Sequence, residues 1–442
     1  MTGGRLRGLL ADTAPLRHDR DYRWLWSGQA VSGIGTQITR IALPYQVYVL
    51  TGSTLAVAAL TFAQLVPILV FALGAGSVAD AVDRRKLLFT TQLGLLASSA
   101  ALAGLALLGQ PPLWALFGVA FVAAGLSAVD QPARSSSVPR LVPTERLPAA
   151  IALNQLNFQV GSVVGPAIGG ILIATVGLPG AYFADVVSFA ASLIAVAAIA
   201  PLPPLGSVTR PGITAIREGL RFVGARRVIL STFVIDLNAM VFGMPTSLFP
   251  ALALDVFKVG PQGLGLLAAA PAVGAFLGAL LSGWVSAVRR VGFAVIVAVA
   301  IWGGAIALFG LSTFSFPLAL VFLAIAGAAD VLSAVFRSTI VQLETPDALR
   351  GRVTSIHILV VTSGPRLGDI EAATVAAIVG PQLSVVSGGL LCVLGVAVVA
   401  RIFPELAGHV VRKATRRADV RQPATTDSGS AQRVEGDELP GA

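Results

Sequence analysis

The chain has 442 residues, of which 55% are hydrophobic and only 12% are charged. Soluble proteins carry roughly 25% charged residues, and a soluble fold has no means of hiding this much apolar surface. The composition therefore excludes a soluble globular protein. The net charge of +9 comes from basic residues in loops between apolar stretches, which indicates membrane topology and not nucleic-acid binding.

Apolar stretches of about twenty residues recur along the chain, long enough to cross a hydrocarbon core of roughly 30 Å as helices. We predict an all-α membrane protein with twelve transmembrane helices in two bundles of six. The first bundle comprises residues 24–49, 54–79, 87–108, 113–133, 147–173 and 179–200. The second comprises residues 228–252, 263–288, 292–312, 316–337, 352–378 and 382–402.

Charge placement gives the domain boundaries and the orientation. Clusters of Lys and Arg fall in every second loop, and only Lys258 breaks this alternation. Because cytoplasmic loops are enriched in basic residues, we expect both termini in the cytoplasm of a bacterium and the bundles in its inner or plasma membrane. The predicted order is a cytoplasmic segment, an N-terminal bundle, a cytoplasmic linker, a C-terminal bundle and a largely disordered tail, at residues 1–23, 24–200, 201–227, 228–403 and 404–442.

The two predicted bundles share an internal repeat. Arg134 lies nine residues before Pro143, and Arg337 lies nine before Pro346, so the offset is 203 residues in both cases. Two glycines in each following helix keep this offset, namely Gly161 and Gly165 against Gly364 and Gly368. A duplicated six-helix unit in one orientation is typical of transporters whose halves rock about a central site.

The loop after the second predicted helix carries Gly76, Asp80, Arg84 and Arg85. A glycine allows close helix approach, and a carboxylate at the helix end can pair with a neighbouring arginine. This Gly-x-x-x-Asp element followed by basic residues resembles the signature of the major facilitator superfamily, although Ala81 and Asp83 depart from the usual pattern. The resemblance implies a conformational latch in which Asp80 closes the cytoplasmic side, through Arg134.

The fifth predicted helix contains a second element of the same superfamily. Gly161, Gly165, Pro166, Gly169 and Gly170 resemble the Gly-x-x-x-Gly-Pro-x-x-Gly-Gly pattern of its drug and metabolite exporters. Small residues four apart permit backbone contact between helices, and a proline removes one helical hydrogen bond. A plain helix-packing face explains the glycines equally well on physical grounds.

Further stretches are similar to the enterobactin-exporter branch of that superfamily and to macrolide efflux pumps. They are residues 21–29, 40–44, 248–252 and 342–353. The resemblance implies efflux of a siderophore or a macrolide-like drug, with drug resistance as a consequence in the latter case. It is informative about the family and less so about the cargo, because these stretches lie in loops and packing faces.

Ionisable residues inside the predicted helices each cost roughly 2.5 to 3.5 kcal/mol on insertion scales, so each calls for a reason. By the family resemblance, helices 1, 4, 7 and 10 line a central cavity and helices 5 and 11 share its wall. We therefore expect cavity or substrate contacts from Arg40, Arg366, Asp130, Gln37 and Asn238, and proton coupling through Asp369, Glu371, Asp236 or Asp330.

Alternatives remain open for several of these residues. Arg366 and Asp369 are three apart on one helix face, which fits either a structural ion pair or a proton site at Asp369. Arg40 can attract an anionic or catechol-bearing cargo, or it can pair with a carboxylate across the cavity. Asp185 fits an interfacial or capping role, and His357 fits a packing or hydrogen-bonding role.

The sequence contains no His or Cys cluster for a metal and no nucleotide-binding loop of the Gly-x4-Gly-Lys-Ser/Thr type. We expect no cofactor, no enzymatic activity and no nucleic-acid partner. The function predicted is a monomeric secondary antiporter that contacts the lipid bilayer and exports a small amphipathic molecule with the proton gradient as its energy source. The rival hypotheses are a flippase for lipids or lysolipids and a membrane sensor that keeps the fold without transport.

Overall fold

The computed structural model describes residues 12–204 and 213–410, apart from the side chains of residues 72–81, 213–216 and 348. Within these ranges the chain is helical and contains no strand. The predicted tail beyond residue 410 and the start of the N-terminal segment lie outside the described residues. Residues 12–410 belong to one compact unit.

The N-terminal half contains six long helices. They are α1 (Arg20–Thr51), α2 (Thr54–Ala81), α3 (Arg84–Leu107) and α4 (Leu113–Leu141), followed by α5 (147–176) and α6 (178–197). The last two form one continuous stretch, Leu147–Ala197, that breaks at Gly177. The φ of +73° at Gly177 is a left-handed conformation that only glycine adopts at little cost, so the chain can reverse there.

The C-terminal half follows a linker helix, Ile213–Ala225, and repeats the pattern. Its long helices are α7 (Arg227–Phe242), α8 (Gly260–Leu280), α9 (Val291–Leu311), α10 (Phe316–Glu344), α11 (Arg350–Val379) and α12 (Pro381–Ile402). Short turns at Thr246–Leu248 and Phe249–Ala251 and a π-helical segment at Leu252–Val256 connect α7 to α8.

Nine helical stretches of the described residues are long and apolar enough to cross a membrane. One of them is the 54-residue stretch Thr144–Ala197 that holds both α5 and α6. Helices α1 and α11 are as long as the others but more polar. Helix α1 contains Arg40, and helix α11 contains Arg366, Asp369 and Glu371. The chain is thus an all-helical, multi-pass membrane protein.

Short connections make successive long helices run in opposite directions. We call the end of the bundle where α1 begins and α12 ends the near end, and the end where α1 ends and α2 begins the far end. A large apolar cluster toward the far end contains residues of both halves, including Val47 and Tyr48 of α1 with Ala251 after α7. Three clusters toward the near end each stay within one half.

The glycines of the internal repeat lie at equivalent helix contacts. A Cβ on Gly165 of α5 would lie 2.4 Å from Cβ of Gln37 on α1, and a Cβ on Gly368 of α11 would lie 2.4 Å from the carbonyl oxygen of Met240 on α7. Both halves therefore pack their fifth helix against their first through small residues, as expected for close helix approach in a membrane.

Candidate functional site

The two halves are held together mainly toward the far end. Tyr48 at the end of α1 donates a hydrogen bond to the carboxylate of Asp255 in the π-helical segment. Thr54 of α2 donates to the carbonyl of Ala373 on α11 at 3.5 Å. These bonds and the shared apolar cluster close the space between the halves at the far end.

Helices α5 and α8 form the closest contact between the halves. A Cβ on Gly170 would lie 2.5 Å from the carbonyl oxygen of Pro261, and a Cβ on Gly265 would lie 2.5 Å from that of Pro166. The same pair of helices meets again nearer the middle, where Gln159 donates to the carbonyl of Ala272 at 2.9 Å. Closer to the near end, the described side chains form no hydrogen bond between the halves.

A buried carboxylate lies below the closed far end. Asp369 is 3% exposed and sits ten residues, or about 15 Å, from the far end of α11. Its Oδ1 accepts hydrogen bonds from the Thr246 hydroxyl at 2.8 Å and from the Ser247 backbone amide at 2.7 Å. Thr61 of α2 lies beside the same carboxylate. Asp369 therefore touches elements of both halves.

Two arginines face this carboxylate without forming an ion pair with it. Arg40 of α1 is exposed although it lies deep in the span, and it is within electrostatic range of Asp369 and Arg366. Arg366 is half-buried and donates to the Thr362 carbonyl at 2.5 Å, while its Nε has no acceptor among the described residues. The structural Arg366–Asp369 ion pair is thus not formed, and the site has an excess of positive charge.

Three further acidic candidates have other surroundings than Asp369. Glu371 is half-buried and has no ion pair within the described part of the chain. Asp236, 1% exposed, forms an ion pair with Arg337 at 2.5 Å, and Asp330 lies 3.9 Å from the same arginine. These last two belong to a separate charged network inside the C-terminal half.

The structure places Asp130 inside the N-terminal half and not at the central site where we expected it. Asp130 lies between α3 and α4, where Oδ1 accepts hydrogen bonds from Thr91 at 2.8 Å and Gln92 at 2.9 Å. Its Oδ2 accepts from Arg134 Nε at 3.1 Å. Because Asp130 is only 7% exposed and all its partners belong to the N-terminal half, it does not reach the space between the halves.

The basic residues of the predicted latch bind within the N-terminal half. Arg84 donates to the Ser136 carbonyl of α4 at 3.0 Å, and Arg85 donates to the Ala197 carbonyl of α6 at 2.6 Å. The surroundings of Gly76 and the side chain of Asp80 lie outside the described part of the structure. Arg134 is bonded to Asp130, so the expected route from Asp80 through Arg134 stays a prediction.

The amide of Asn238 also faces away from the expected cavity. It donates to the carbonyl of Cys392 on α12 at 3.0 Å, and Gly395 lies directly against it. Asn238 therefore joins α7 to α12 instead of contacting the space between the halves. Gln37 is half-buried on α1 where α1 crosses Gly165.

Asp185 is not an interfacial cap, as the sequence suggested, but a buried centre of the N-terminal half. It is 1% exposed and accepts hydrogen bonds from Thr39 and Ser99 at 2.7 Å and from Ser188 at 3.1 Å. These partners lie on α1, α3 and α6, so one carboxylate connects three helices.

The glycine-proline element of α5 has two contact faces. Gly161, Gly165 and Gly169 lie along α1, whereas Gly170 faces α8 of the other half. Pro166 lies inside the helix, and its carbonyl oxygen is the atom closest to Gly265. The element therefore packs the first half and also closes the far end.

Some residues of the site escaped the sequence reasoning. Thr246 and Ser247 bind Asp369 because the chain leaves helical geometry after α7, and the only sequence signal for this break is Pro245. Tyr48 and Asp255 lie in predicted helix ends, where a tyrosine and an acid carry no distinctive pattern.

Two helical halves that meet around Arg40, Arg366 and Asp369 deep in the membrane span are typical of membrane transporters. Residues 10–429 match the family described as transmembrane secretion effector. The chain belongs to this family of the major facilitator superfamily, whose members are transporters and not enzymes.

Known proteins agree with this assignment. The chain is 27% identical over 380 residues to the enterobactin exporter EntS of Shigella boydii serotype 18 (strain CDC 3083-94 / BS512). This alignment covers 85% of the chain and 90% of the exporter. The fold of the present chain is similar to that of a POT family transporter in complex with 5-aminolevulinic acid, with a TM-score of 0.70 and 12% identity. The match covers 88% of this chain and 97% of that transporter. The fold is also similar to a bacterial homologue of the iron transporter ferroportin in an inward-facing state, with a TM-score of 0.68, 15% identity and coverage of 88% and 99%.

Proposed function

We propose that the protein is a proton-coupled exporter that moves a small, anionic, amphipathic molecule by alternating access between its two halves. The proposal includes twelve membrane-spanning helices in an inner or plasma membrane, both termini and the near end in the cytoplasm, a monomer, and no cofactor beyond the proton gradient. The observation that supports it best is the pair of arginines, Arg40 and Arg366, that face Asp369 across the space between the halves.

The charges of this site favour an anionic cargo. The Arg40 side chain is exposed deep in the span, and Nε of Arg366 lacks an acceptor in the described residues. Planar guanidinium groups suit carboxylates and other paired oxygens, and catecholate oxygens are such a pair. The resemblance to an enterobactin exporter makes a catechol siderophore our first choice of cargo and a drug-like molecule the second.

Asp369 supplies the proposed coupling group. It is a buried carboxylate that binds hydroxyl groups and a backbone amide, with no cation bonded to it in the described residues. Its protonated and ionised forms will bind Thr246 and Arg40 with different strength. Since Thr246 and Arg40 lie on different halves, a proton on Asp369 favours one arrangement of the halves over the other.

Uptake into inverted membrane vesicles tests the function and the cargo class together. Enterobactin, erythromycin and a short-chain lysophospholipid serve as probes, each with and without a protonophore. We expect gradient-dependent uptake of enterobactin. Lysophospholipid movement that ignores the protonophore would support a flippase instead, and no movement of any probe by protein that folds normally would support a sensor.

An arginine variant tests the site within the same assay. Arg40→Gln should raise the half-saturating concentration of enterobactin by about tenfold, because a lost charge-assisted hydrogen bond costs about 1.5 kcal/mol. Arg401→Gln, which removes an exposed arginine at the end of α12, is the matched control and should leave uptake unchanged. Equal effects of both variants would reject the assignment of Arg40 to the cargo site.

A further inference from the structure

A second polar cavity lies inside the C-terminal half. It has a volume of about 170 Å³ and is bounded by α7, α10 and α11. Its lining includes Asp236, Arg337 and His357 together with the polar side chains of Thr232, Ser338 and Gln342. At 1.5 Å per residue, Arg337 and His357 lie about 10 Å from the near ends of their helices and Asp236 about 14 Å.

The ion pair in this cavity is close but incompletely bonded. Nη1 of Arg337 lies 2.5 Å from Oδ1 of Asp236, yet the two atoms lack hydrogen-bond alignment. Nε of Arg337 has no acceptor among the described residues, although the side chain is only 5% exposed. Since a buried donor without an acceptor is costly, Arg337 is held here by one contact and leaves part of its bonding capacity unused.

A second acid competes for the same guanidinium. Asp330 lies two turns before Arg337 on α10, and its carboxylate is 3.9 Å from Nη2. The Asp330 side chain is 39% exposed at a depth of about 21 Å from the near end of α10. Arg337 therefore lies between a buried acid beside the cavity and an exposed acid toward the middle of the bundle.

The equivalent arginine of the repeat shows the contrast. Arg134 is bonded to Asp130, whose other oxygen is occupied by Thr91 and Gln92. No second acid lies within salt-bridge distance of Arg134 in the described residues. Among the described residues, Arg134 thus has one acidic partner and Arg337 has two, and Nη1 of Arg134 has no hydrogen-bond acceptor there, as is also the case for Nη1 of Arg337.

We propose that Arg337 is a two-position switch, with Asp236 and Asp330 as its alternative partners and His357 as the group that delivers a proton to Asp236 from the cavity. In this step His357 takes a proton from water on one ring nitrogen and releases one from the other to the Asp236 carboxylate. Asp236 becomes neutral, and Arg337 moves its pairing to Asp330. The three charges of the two acids and the arginine sum to −1 before the step and to zero after it.

The remaining charged groups around this network are paired among themselves at its near-end rim. Arg352 of α11 pairs with Glu218 of the linker helix at 2.6 Å. Glu344 of α10 lies 3.8 Å from Arg226 and 3.9 Å from His409. Besides Asp330, His357 is a titratable group within electrostatic range of both Asp236 and Arg337, and its ring packs 6.1 Å from that of Phe233.

This inference deepens the proposed proton coupling, and infrared spectroscopy of the purified protein tests it without any cargo. The readout is the C=O stretching band of a protonated carboxyl group as the pH falls from about 8 to about 5. We expect a component of this band that is lost in Asp236→Asn. In Asp330→Asn the same band should need at least about tenfold more protons, because Arg337 then has no alternative partner.

His357→Gln separates delivery from the switch itself. After a pH jump the variant should reach the same final band several-fold more slowly. Asp236→Glu, which keeps the charge, guards against a variant that does not fold and should retain a titrating band. A band in Asp236→Asn equal to that of the wild type, or an unchanged rate in His357→Gln, would overturn the proposal. If the band behaves as expected while vesicle uptake ignores the proton gradient, the switch stands and the proposed coupling fails.

Discussion

Gly170→Ala should shift the protein toward the arrangement in which the halves separate at the far end. The new Cβ would lie 2.5 Å from the carbonyl oxygen of Pro261 and 3.1 Å from Cα of Gly265. Ordinary contact begins at 3.4 Å, so α5 and α8 must part by about 0.9 Å. Both obstructing groups are backbone atoms, which have no rotamer by which to move away.

The cost of this overpacking is about 1 to 3 kcal/mol, and it applies only while the far end is closed. The ratio of far-closed to far-open molecules should therefore fall by about 5-fold to 150-fold. Spin labels on cysteines at Leu108 and Phe314, exposed positions in far-end turns of the two halves, report the separation as a distance distribution. The native Cys392 is buried and should not react with the label.

Gly161→Ala is the matched control on the same helix. Its Cβ would approach no atom outside its own helix more closely than 4.0 Å, at Gly33, so the distance distribution should stay that of the wild type. An unchanged distribution in Gly170→Ala, or equal shifts in both variants, would refute the conclusion that this glycine contact holds the far end closed.

Two further predictions concern the polar contacts. Tyr48→Phe removes the hydrogen bond to Asp255 and should destabilise the far-closed state relative to the far-open state by about 1 kcal/mol or more. The same spin labels should detect a larger far-open fraction, and an unchanged fraction would contradict this prediction. Asp185→Ala should lower the free energy of unfolding in detergent by about 1 to 3 kcal/mol, because the Thr39 and Ser99 hydroxyls lose their acceptor. Asp185→Asn keeps an acceptor and should cost less; equal losses would show that the hydroxyl contacts do not account for the effect.

The sequence predicted the helical class and the superfamily, because these depend on local apolar length, loop charge and short motifs. The predicted end of the seventh helix at residue 252 was wrong, since α7 ends at Phe242. The sequence also predicted the contact of Gly165 with another helix, since small residues four apart have few other uses in a membrane. The direction of a side chain around its helix was harder to predict. Asp130 and Asn238 carry the same polarity whether they face the cavity or a neighbour within their half, and only tertiary packing decides between these positions.

The sequence also did not predict which residues from distant parts of the chain form hydrogen bonds with one another. The spacing of Arg366 and Asp369 satisfied the rule for neighbours on a helix face, yet Asp369 binds Thr246 and Ser247, more than a hundred residues earlier. A break in α7 brings these groups to it. Likewise, no local sequence pattern predicts that Asp185 accepts hydrogen bonds from hydroxyl groups on three helices.

The central claim is that Asp369 couples proton movement to the alternation of the two halves. Proteoliposomes that contain the wild-type protein or Asp369→Asn allow two measurements with labelled enterobactin, namely accumulation driven by an imposed pH gradient and exchange at equal pH. We predict that Asp369→Asn loses accumulation and keeps exchange, because the neutral side chain still lets the halves alternate with cargo bound. Accumulation equal to that of the wild type would contradict the account.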